Sequence, residues 1–201
     1  RINILGTKNI AEIIDEEVNL IYISTDSVYD GKNGHFSEND QINPLNHYGL
    51  TKYNGEIEAL KHKNSLILRT NFFGWNFLNK VSLVEWVIQN LKENKTINCF
   101  HDAYFSSIYT FKFAEIISKA IKKRINGIYN CGSSDSCSKF EFAKKIADKF
   151  SFDKSLINSI SIEEYNFEAK RGKNQSLNVR KLELDLNCDL GTINESINSC
   201  F

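Results

Sequence analysis

The sequence contains no methionine, a single proline and no net charge at neutral pH. Because 25 basic residues balance 25 acidic residues, there is no electrostatic basis for binding nucleic acid or an anionic membrane surface. No apolar run approaches the ~20 residues that a membrane-spanning helix requires. With 41% hydrophobic and 25% charged residues over 201 positions, the composition predicts a soluble globular domain.

The cysteine and histidine patterns that would hold a metal ion or a disulfide framework are also missing. The five cysteines are odd in number and include no Cys-x-x-Cys spacing, which predicts reduced thiols in a cytoplasmic protein. The four histidines show no ligand spacing, and His101-Asp102 is the only suggestive pair. The sequence therefore predicts no metal site.

Glycine-rich turns are absent as well, because the 10 glycines are scattered along the chain. A Gly-x-x-Gly-x-x-Gly turn after a strand would hold the phosphates of a dinucleotide at a helix N-terminus. The sequence therefore offers no phosphate-binding loop of this kind.

The chain does contain an alternation of strand-like and helix-like segments. Short β-branched apolar runs predict strands, and longer segments with an apolar stripe predict helices. The predicted strands are residues 20–24, 65–70 and 128–131, and the predicted helices are residues 4–16, 46–61, 81–91, 110–121 and 138–150. Strands that alternate with helices predict an α/β fold with a parallel sheet.

Local signals support three of these helices. Asn46 precedes the second helix as a candidate N-cap, and Ser138 with Glu141 forms a capping-box pattern before the last one. In the first helix, four isoleucines lie on one side and predict a buried face: Ile4, Ile10, Ile13 and Ile14.

The most informative constellation joins a strand end to a helix. The apolar run at residues 19–23 ends in Ser24-Thr25-Asp26, and the carboxyl ends of strands are where ligands bind in open α/β sheets. Tyr48 and Lys52 follow 23 and 27 residues after Thr25. Four residues apart on a helix, they share one face.

These residues predict proton-transfer chemistry. An ammonium group near a phenol favours the phenolate, so Lys52 is expected to lower the pKa of Tyr48 and let it exchange a proton with a sugar or alcohol oxygen. Thr25 could bond the same oxygen. A Tyr-x-x-x-Lys match is expected about once by chance in such a chain, and a half-buried tyrosine with a surface lysine is the structural alternative. The preceding strand end and Pro44 favour catalysis.

The segments at residues 24–31, 43–52 and 55–56 resemble the extended short-chain dehydrogenase/reductase family, and most closely its dTDP-4-dehydrorhamnose reductase branch. That branch carries a Ser-Thr-Asp-Tyr-Val-Phe-Asp-Gly type segment before its Tyr-Gly-x-Thr-Lys. Further similar segments at residues 68–70, 127–130, 138–143 and 171–177 extend the resemblance over almost the whole chain. It implies the C-terminal part of a Rossmann-like doubly wound parallel sheet with a smaller mixed substrate-binding lobe.

The resemblance also implies a division of the chain. Residues 1–74 would form part of the dinucleotide-binding domain, including the Tyr-x-x-x-Lys helix. Residues 75–201 would form mainly the substrate-binding lobe, with residues 110–135 returning to the sheet. Roughly 80 residues that hold the first strands and the glycine turn in the family are expected to precede Arg1, so the preference for NADH or NADPH stays open.

The resemblance implies roles for the strand end and the helix. Thr25, Tyr48 and Lys52 would be catalytic in the reduction of a 4-keto sugar by NADPH or NADH. Ser24, Tyr48, Lys52 and Thr70 would contact that cofactor.

The implied substrate is a nucleoside-diphosphate sugar held by Thr25, Asp26, Asn71, Phe72 and Arg171. Phe72 stands where the family usually has a tryptophan. Arg171 is either a surface charge or a bidentate clamp on the diphosphate. A homodimer is the candidate assembly.

Two alternatives remain open at this stage. One is an epimerase or dehydratase, although the dehydratases of the family commonly carry an acidic pair beside the threonine, whereas here Ser27 follows Asp26. The other is a non-catalytic binding subunit of the same fold. Ser27 in place of the usual tyrosine and Gly172 in place of the usual proline leave the sugar open.

Overall fold

The computed structural model describes residues 1–76 and 80–200. The α-helices are α1 (Thr7–Ile13), α2 (His47–Ala59), α3 (Leu83–Lys92), α4 (Thr110–Lys123), α5 (Lys139–Phe150), α6 (Arg180–Leu186) and α7 (Ile193–Cys200). The strands are β1 (Leu20–Ile23), β2 (Ser65–Thr70), β3 (Phe72–Phe73), β4 (Ile97–Phe100), β5 (Tyr104–Phe105), β6 (Ile108–Tyr109), β7 (Gly127–Cys131), β8 (Cys137–Ser138), β9 (Ile157–Ile160) and β10 (Asn174–Gln175).

The main sheet is parallel and has the strand order β1-β2-β7. All six residues of β2 are buried, because this central strand is covered on both faces. One face packs on α4 and α6 through residues such as Leu68 and Ile116. The other face packs on α2, where Tyr22 and Ile67 meet Ala59. The α/β fold with a parallel sheet is therefore confirmed.

A second hydrophobic core lies beside this sheet and contains residues of α3, α5 and α7, among them Val87, Phe142 and Ile197. Short strand pairs surround it: β3 with β6, β4 with β9, and β5 between β8 and β10. Between the two cores, α4 and β7 bring the chain back to the main sheet. The functional division near residue 74 stays a prediction.

The first helix is shorter than predicted. Two of the isoleucines that were predicted to lie on its buried face are exposed to solvent. A π-helical turn over Ile2–Gly6 precedes α1, which ends where Ile14 becomes extended. Ile10 and Ile13 are 49% and 79% exposed. The segment instead contacts α2 through polar groups, because Asn3 donates a hydrogen bond to Thr51 Oγ1 at 3.1 Å.

The helix predicted at residues 81–91 begins later, at Leu83, because Ser82 is its N-cap. Ser82 and Glu85 form a capping box, and this signal was present in the sequence. The predicted caps Asn46 and Ser138 are confirmed, since both side chains accept hydrogen bonds from backbone N–H groups of the first turn. Within the described ranges, no helix is long and apolar enough to cross a membrane.

Candidate active site

The polar segment that follows β1 is buried and locally ordered by its own side chains. Ser24, Thr25 and Asp26 are 4%, 6% and 3% exposed. Thr25 caps a short 3-10 turn over Asp26–Val28, and its Oγ1 accepts a hydrogen bond from Ser27 N at 3.2 Å. The same hydroxyl donates to Asp26 Oδ1 at 3.1 Å. The turn therefore fixes the directions of the threonine and aspartate side chains together.

Asp26 is held from a second side by the segment that follows β2. Asn71 Nδ2 donates a hydrogen bond to Asp26 Oδ2 at 2.8 Å. Burial raises the pKa of the Asp26 carboxyl above its ordinary value, although the hydrogen bond from Asn71 and the positive charge of Lys139 oppose this shift. The Asp26 carboxyl is therefore a buried group at the end of the sheet that accepts hydrogen bonds from two neighbouring segments.

Helix α2 brings Tyr48 and Lys52 to this end of the sheet. Asn46 Oδ1 accepts a hydrogen bond from Gly49 N at 2.9 Å, which fixes the start of the helix. Gly49 allows a close approach, because a Cβ at this position would lie 2.2 Å from the carbonyl oxygen of Ser27. The first turn of α2 therefore lies directly against the turn that carries Asp26.

Tyr48 and Lys52 have different environments. The Tyr48 side chain is 55% exposed and lines a cavity. The Lys52 ammonium donates a hydrogen bond to the Ile23 carbonyl oxygen at the end of β1 and lies 4.3 Å from the centroid of the Tyr22 ring. Burial lowers the pKa of Lys52, and the nearby Glu56 carboxylate opposes that effect. Lys52 is thus anchored, while Tyr48 is accessible.

A buried network of hydrogen bonds and one ion pair lies beneath the cavity and fixes the elements that carry the site residues. Arg69 Nη2 pairs with Glu56 Oε2 at 2.7 Å, and the two side chains are 2% and 1% exposed. Ser24 Oγ donates a hydrogen bond to Glu56, and Arg69 Nη1 donates to Tyr29 Oη at 2.9 Å. The network joins α2, β2 and the end of β1. Sequence reasoning used Glu56 and Arg69 only as parts of a resemblance.

Most of the predicted substrate residues line one cavity of about 810 Å³. It is lined by Asp26, Tyr48, Asn71 and Arg171, which come from four separate segments. Arg171 lies over the ring of Phe167, with its guanidinium carbon 4.6 Å from the ring centroid. The structure therefore brings these four residues together.

The same cavity has an aromatic wall that sequence reasoning missed. Phe100, Tyr165 and Phe167 contact one another with ring centroids 4.6 to 6.0 Å apart, and all three line the cavity. Trp86 from α3 also lines it. Trp86 and Phe100 are far in sequence from Tyr165 and Phe167, so only a predicted sheet pairing such as β4 with β9 could have indicated the cluster.

Phe72 and Thr70 lie next to the large cavity. Phe72 is 49% exposed, stacks on Phe113 at a centroid distance of 5.5 Å, and lines an adjoining cavity of about 370 Å³ together with Asn71. Thr70 is buried, and its Oγ1 has no hydrogen-bond partner among the described residues. Lys139, to which the sequence analysis assigns no role, lines both cavities.

Comparisons with known proteins agree with this geometry. The family described as RmlD substrate binding domain matches residues 1–201. The crystal structure of dTDP-4-dehydrorhamnose reductase from Bacillus anthracis in complex with NADP superimposes with a TM-score of 0.90 and 30% identity, and covers 99% of this chain and 71% of that one.

Two curated relatives differ in what their names describe. The probable low-salt glycan biosynthesis reductase Agl14 of Haloferax volcanii is 27% identical over 189 residues, which are 91% of this chain. Methionine adenosyltransferase 2 subunit beta of Danio rerio is 31% identical over 173 residues, or 82% of this chain. The chain spans 63% and 54% of the lengths of these two relatives. Since the family matches every residue from 1 to 201, the chain belongs to the RmlD substrate binding domain family.

Proposed function

We propose that this chain forms the substrate-binding and proton-donating part of an NAD(P)H-dependent reductase. Its substrate is the 4-keto group of a nucleoside-diphosphate 6-deoxy sugar, with dTDP-4-dehydrorhamnose as the reference compound. The observation that carries the proposal is the shared cavity, in which the accessible Tyr48 side chain lies with Asp26, Asn71 and Arg171. Likeness to the Bacillus anthracis reductase supports the same reaction.

The proton-donating role belongs to Tyr48, an exposed phenol of the cavity that shares helix α2 with Lys52. Its Oη donates a proton to the sugar oxygen as the carbonyl becomes an alcohol. Lys52, one turn further along α2, supplies a positive charge that stabilises the phenolate left behind. Thr25 hydrogen-bonds the sugar oxygen, and it must then turn its hydroxyl away from Asp26 Oδ1.

The residues present fit the nicotinamide half of the cofactor. Thr70 Oγ1 is a buried hydroxyl without a partner among the described residues, and it lies on β2 next to the strand that ends in Ser24. We assign Ser24, Tyr48, Lys52 and Thr70 to that half of the molecule. When bound, NADPH or NADH would supply the hydride for the carbonyl carbon.

Arg171 and the aromatic wall fit the nucleoside diphosphate. A guanidinium group binds phosphate oxygens with paired hydrogen bonds, and flat aromatic rings stack on a nucleobase. Because Arg171 lies on Phe167, both elements act at one end of the cavity. Asp26 and Asn71 in the same cavity, and Phe72 in the adjoining one, remain for the sugar.

Further expectations concern the whole protein. Cys99, Cys131, Cys137, Cys188 and Cys200 are all free thiols, which supports a reducing compartment and hence the cytoplasm. A homodimer stays a prediction that light scattering on the purified protein tests.

The test is a turnover assay. The protein, with any residues that its gene encodes before Arg1, is mixed with dTDP-4-dehydrorhamnose and NADPH or NADH, and the absorbance of the reduced cofactor is followed. The proposal predicts loss of absorbance equal to the amount of keto sugar and formation of dTDP-rhamnose. Conversion of a nucleotide sugar without net cofactor consumption would instead identify an epimerase or dehydratase.

A second candidate is a non-catalytic binding subunit of the same fold. The observation that favours it is the 31% identity to methionine adenosyltransferase 2 subunit beta, which its name describes as a subunit of another enzyme. It predicts binding of nucleotides without turnover in the same assay.

A further inference from the structure

Lys139 occupies a position in the cavity that the proposed mechanism does not use. It is the first residue of α5, and Ser138 caps that helix. Its backbone N–H donates to the Ala103 carbonyl oxygen at 3.0 Å. The side chain lines both cavities, and its Nζ lies 3.1 Å from the centroid of the Phe105 ring.

The Lys139 ammonium is desolvated and has no close anionic partner. No carboxylate within residues 1–76 and 80–200 pairs with it, although the charge of Asp26 acts on it. Burial lowers the pKa of Lys139 to about 8, because desolvation outweighs the attraction of Asp26. An ammonium group held this way retains hydrogen-bond donors for a ligand.

The neighbourhood of Lys139 decides which part of a nucleotide sugar it can bind. Asp26 and Asn71 line the same cavity, and a carboxylate there repels phosphate groups but accepts hydrogen bonds from sugar hydroxyls. An ammonium opposite a carboxylate gives a hydroxyl one donor and one acceptor. Arg171, which lies against Phe167, is better placed to bind the phosphate groups.

We propose that Lys139 is a sugar-binding residue, whose ammonium donates a hydrogen bond to an oxygen substituent of the hexose while Asp26 accepts one from a neighbouring hydroxyl. This inference rests on the proposed function, since it takes the ligand to be a nucleoside-diphosphate sugar. It adds Lys139, a specificity-determining side chain at the start of α5, to the residues that β1 and α2 supply.

The test compares the binding of the nucleotide alone with the binding of the nucleotide sugar. Binding of dTDP and of dTDP-rhamnose to the full chain is measured by calorimetry, with the fluorescence of the cavity residue Trp86 as a second readout. The variants are Lys139→Met and the control Lys144→Met. Lys144 lies on the same helix, and its Nζ lies 4.4 Å from the Phe140 ring centroid, so it loses a similar contact without touching the ligand.

We expect Lys139→Met to weaken dTDP-rhamnose binding about 10- to 100-fold, as for a charged hydrogen-bond donor. Binding of dTDP should change less than about 2-fold, and Lys144→Met should change neither. Equal losses for both ligands would assign Lys139 to the phosphates and overturn the proposal. Unchanged binding of both ligands would also overturn it.

The pH dependence of ligand binding provides an independent test of the same proposal. Among the described residues, the titratable or charged groups that share the cavity wall or act on Lys139 are Asp26, Tyr29, His47, Tyr48, Cys99, Tyr104, Cys137, Tyr165 and Arg171. The gain in affinity that the sugar contributes should fall as pH rises through about 8 in the unmodified protein, and this fall should vanish in Lys139→Met. A fall that persists in Lys139→Met would contradict the assignment.

Failure of the proposed function has a different signature. If the unmodified protein binds neither dTDP nor dTDP-rhamnose, the nucleotide-sugar function fails, and the role of Lys139 fails with it. If the unmodified protein binds both ligands and only the Lys139→Met prediction is wrong, the proposed function stands without this residue. Thermal unfolding of each variant verifies that the fold is retained.

Discussion

Arg69 and Glu56 form an ion pair with an Nη2–Oε2 distance of 2.7 Å, and both side chains are almost completely buried. The pair connects the central strand β2 to α2, the helix that carries Tyr48 and Lys52. Because Ser24 also donates to Glu56, the carboxylate aligns the strand end with the helix. The position of Tyr48, the proposed proton donor, therefore depends on an interaction beneath the cavity.

Replacing Glu56 by Gln should destabilise the protein strongly. Removing one partner of a buried ion pair leaves an uncompensated charge, here the Arg69 guanidinium, and costs about 3–5 kcal/mol. The control is Glu58→Gln in the same helix, whose pairing with Lys61 is at the surface and contributes about 0–1 kcal/mol. Urea unfolding of both variants measures the difference, and equal midpoints would contradict the structural role.

Adding one methyl group at Gly49 should disturb the site. An alanine Cβ would lie 2.2 Å from the Ser27 carbonyl oxygen, so α2 must move away from the turn that carries Asp26. Such overpacking costs about 1–3 kcal/mol. Gly6→Ala is the control, since nothing lies within 4 Å of the added atom. We expect Gly49→Ala to lower both the melting temperature and kcat, and a variant with native activity would show that the contact is unimportant.

Asp26→Asn should stabilise the protein while damaging substrate binding. Burial raises the pKa of Asp26, so its charged form costs stability at neutral pH. Removing that charge should therefore raise the free energy of unfolding at neutral pH. The gain should be full at pH values above the raised pKa of Asp26, shrink as the pH falls from there toward the unfolded pKa of about 3.9, and be absent below it. Melting curves from pH 3 to 7 test this, and lower stability at pH 7 would contradict the assignment.

Lys52→Met should lower turnover and weaken cofactor binding. In the proposed mechanism, Lys52 stabilises the Tyr48 phenolate and also contacts the nicotinamide half of the cofactor. Lys61→Met serves as control, since the exposed Lys61 side chain pairs with Glu58 and has no other ion pair among the described residues. The measurement is kcat together with the KM for NADPH or NADH. A change in kcat alone would remove Lys52 from the cofactor site.

The sequence predicted local features well because neighbouring residues determine them. The strand at residues 65–70 matches β2, and the caps Asn46 and Ser138 form as expected. These depend on apolar runs and on side chains that reach the nearest backbone N–H groups. The grouping of Asp26, Tyr48 and Asn71 followed from the strand-end rule and the resemblance.

The remaining features depend on tertiary contacts that a single sequence does not display. The isoleucine stripe of α1 predicted a buried face, whereas Asn3 makes the polar contact with α2 and Ile10 and Ile13 are exposed. Lys139 and Asp26 line the same cavity only because α5 and the end of β1 meet there. The Ser82 capping box is a different case, since its signal was present in the sequence and was missed.

The most direct test of the account is the turnover of Tyr48→Phe beside Tyr53→Phe, a change of the same kind on the same helix. Tyr48 is the proposed proton donor, and general acid groups contribute roughly 10²–10⁴-fold. The account predicts a loss of kcat of that size in Tyr48→Phe, with little change in cofactor affinity and with native turnover in Tyr53→Phe. Native turnover in Tyr48→Phe would contradict it.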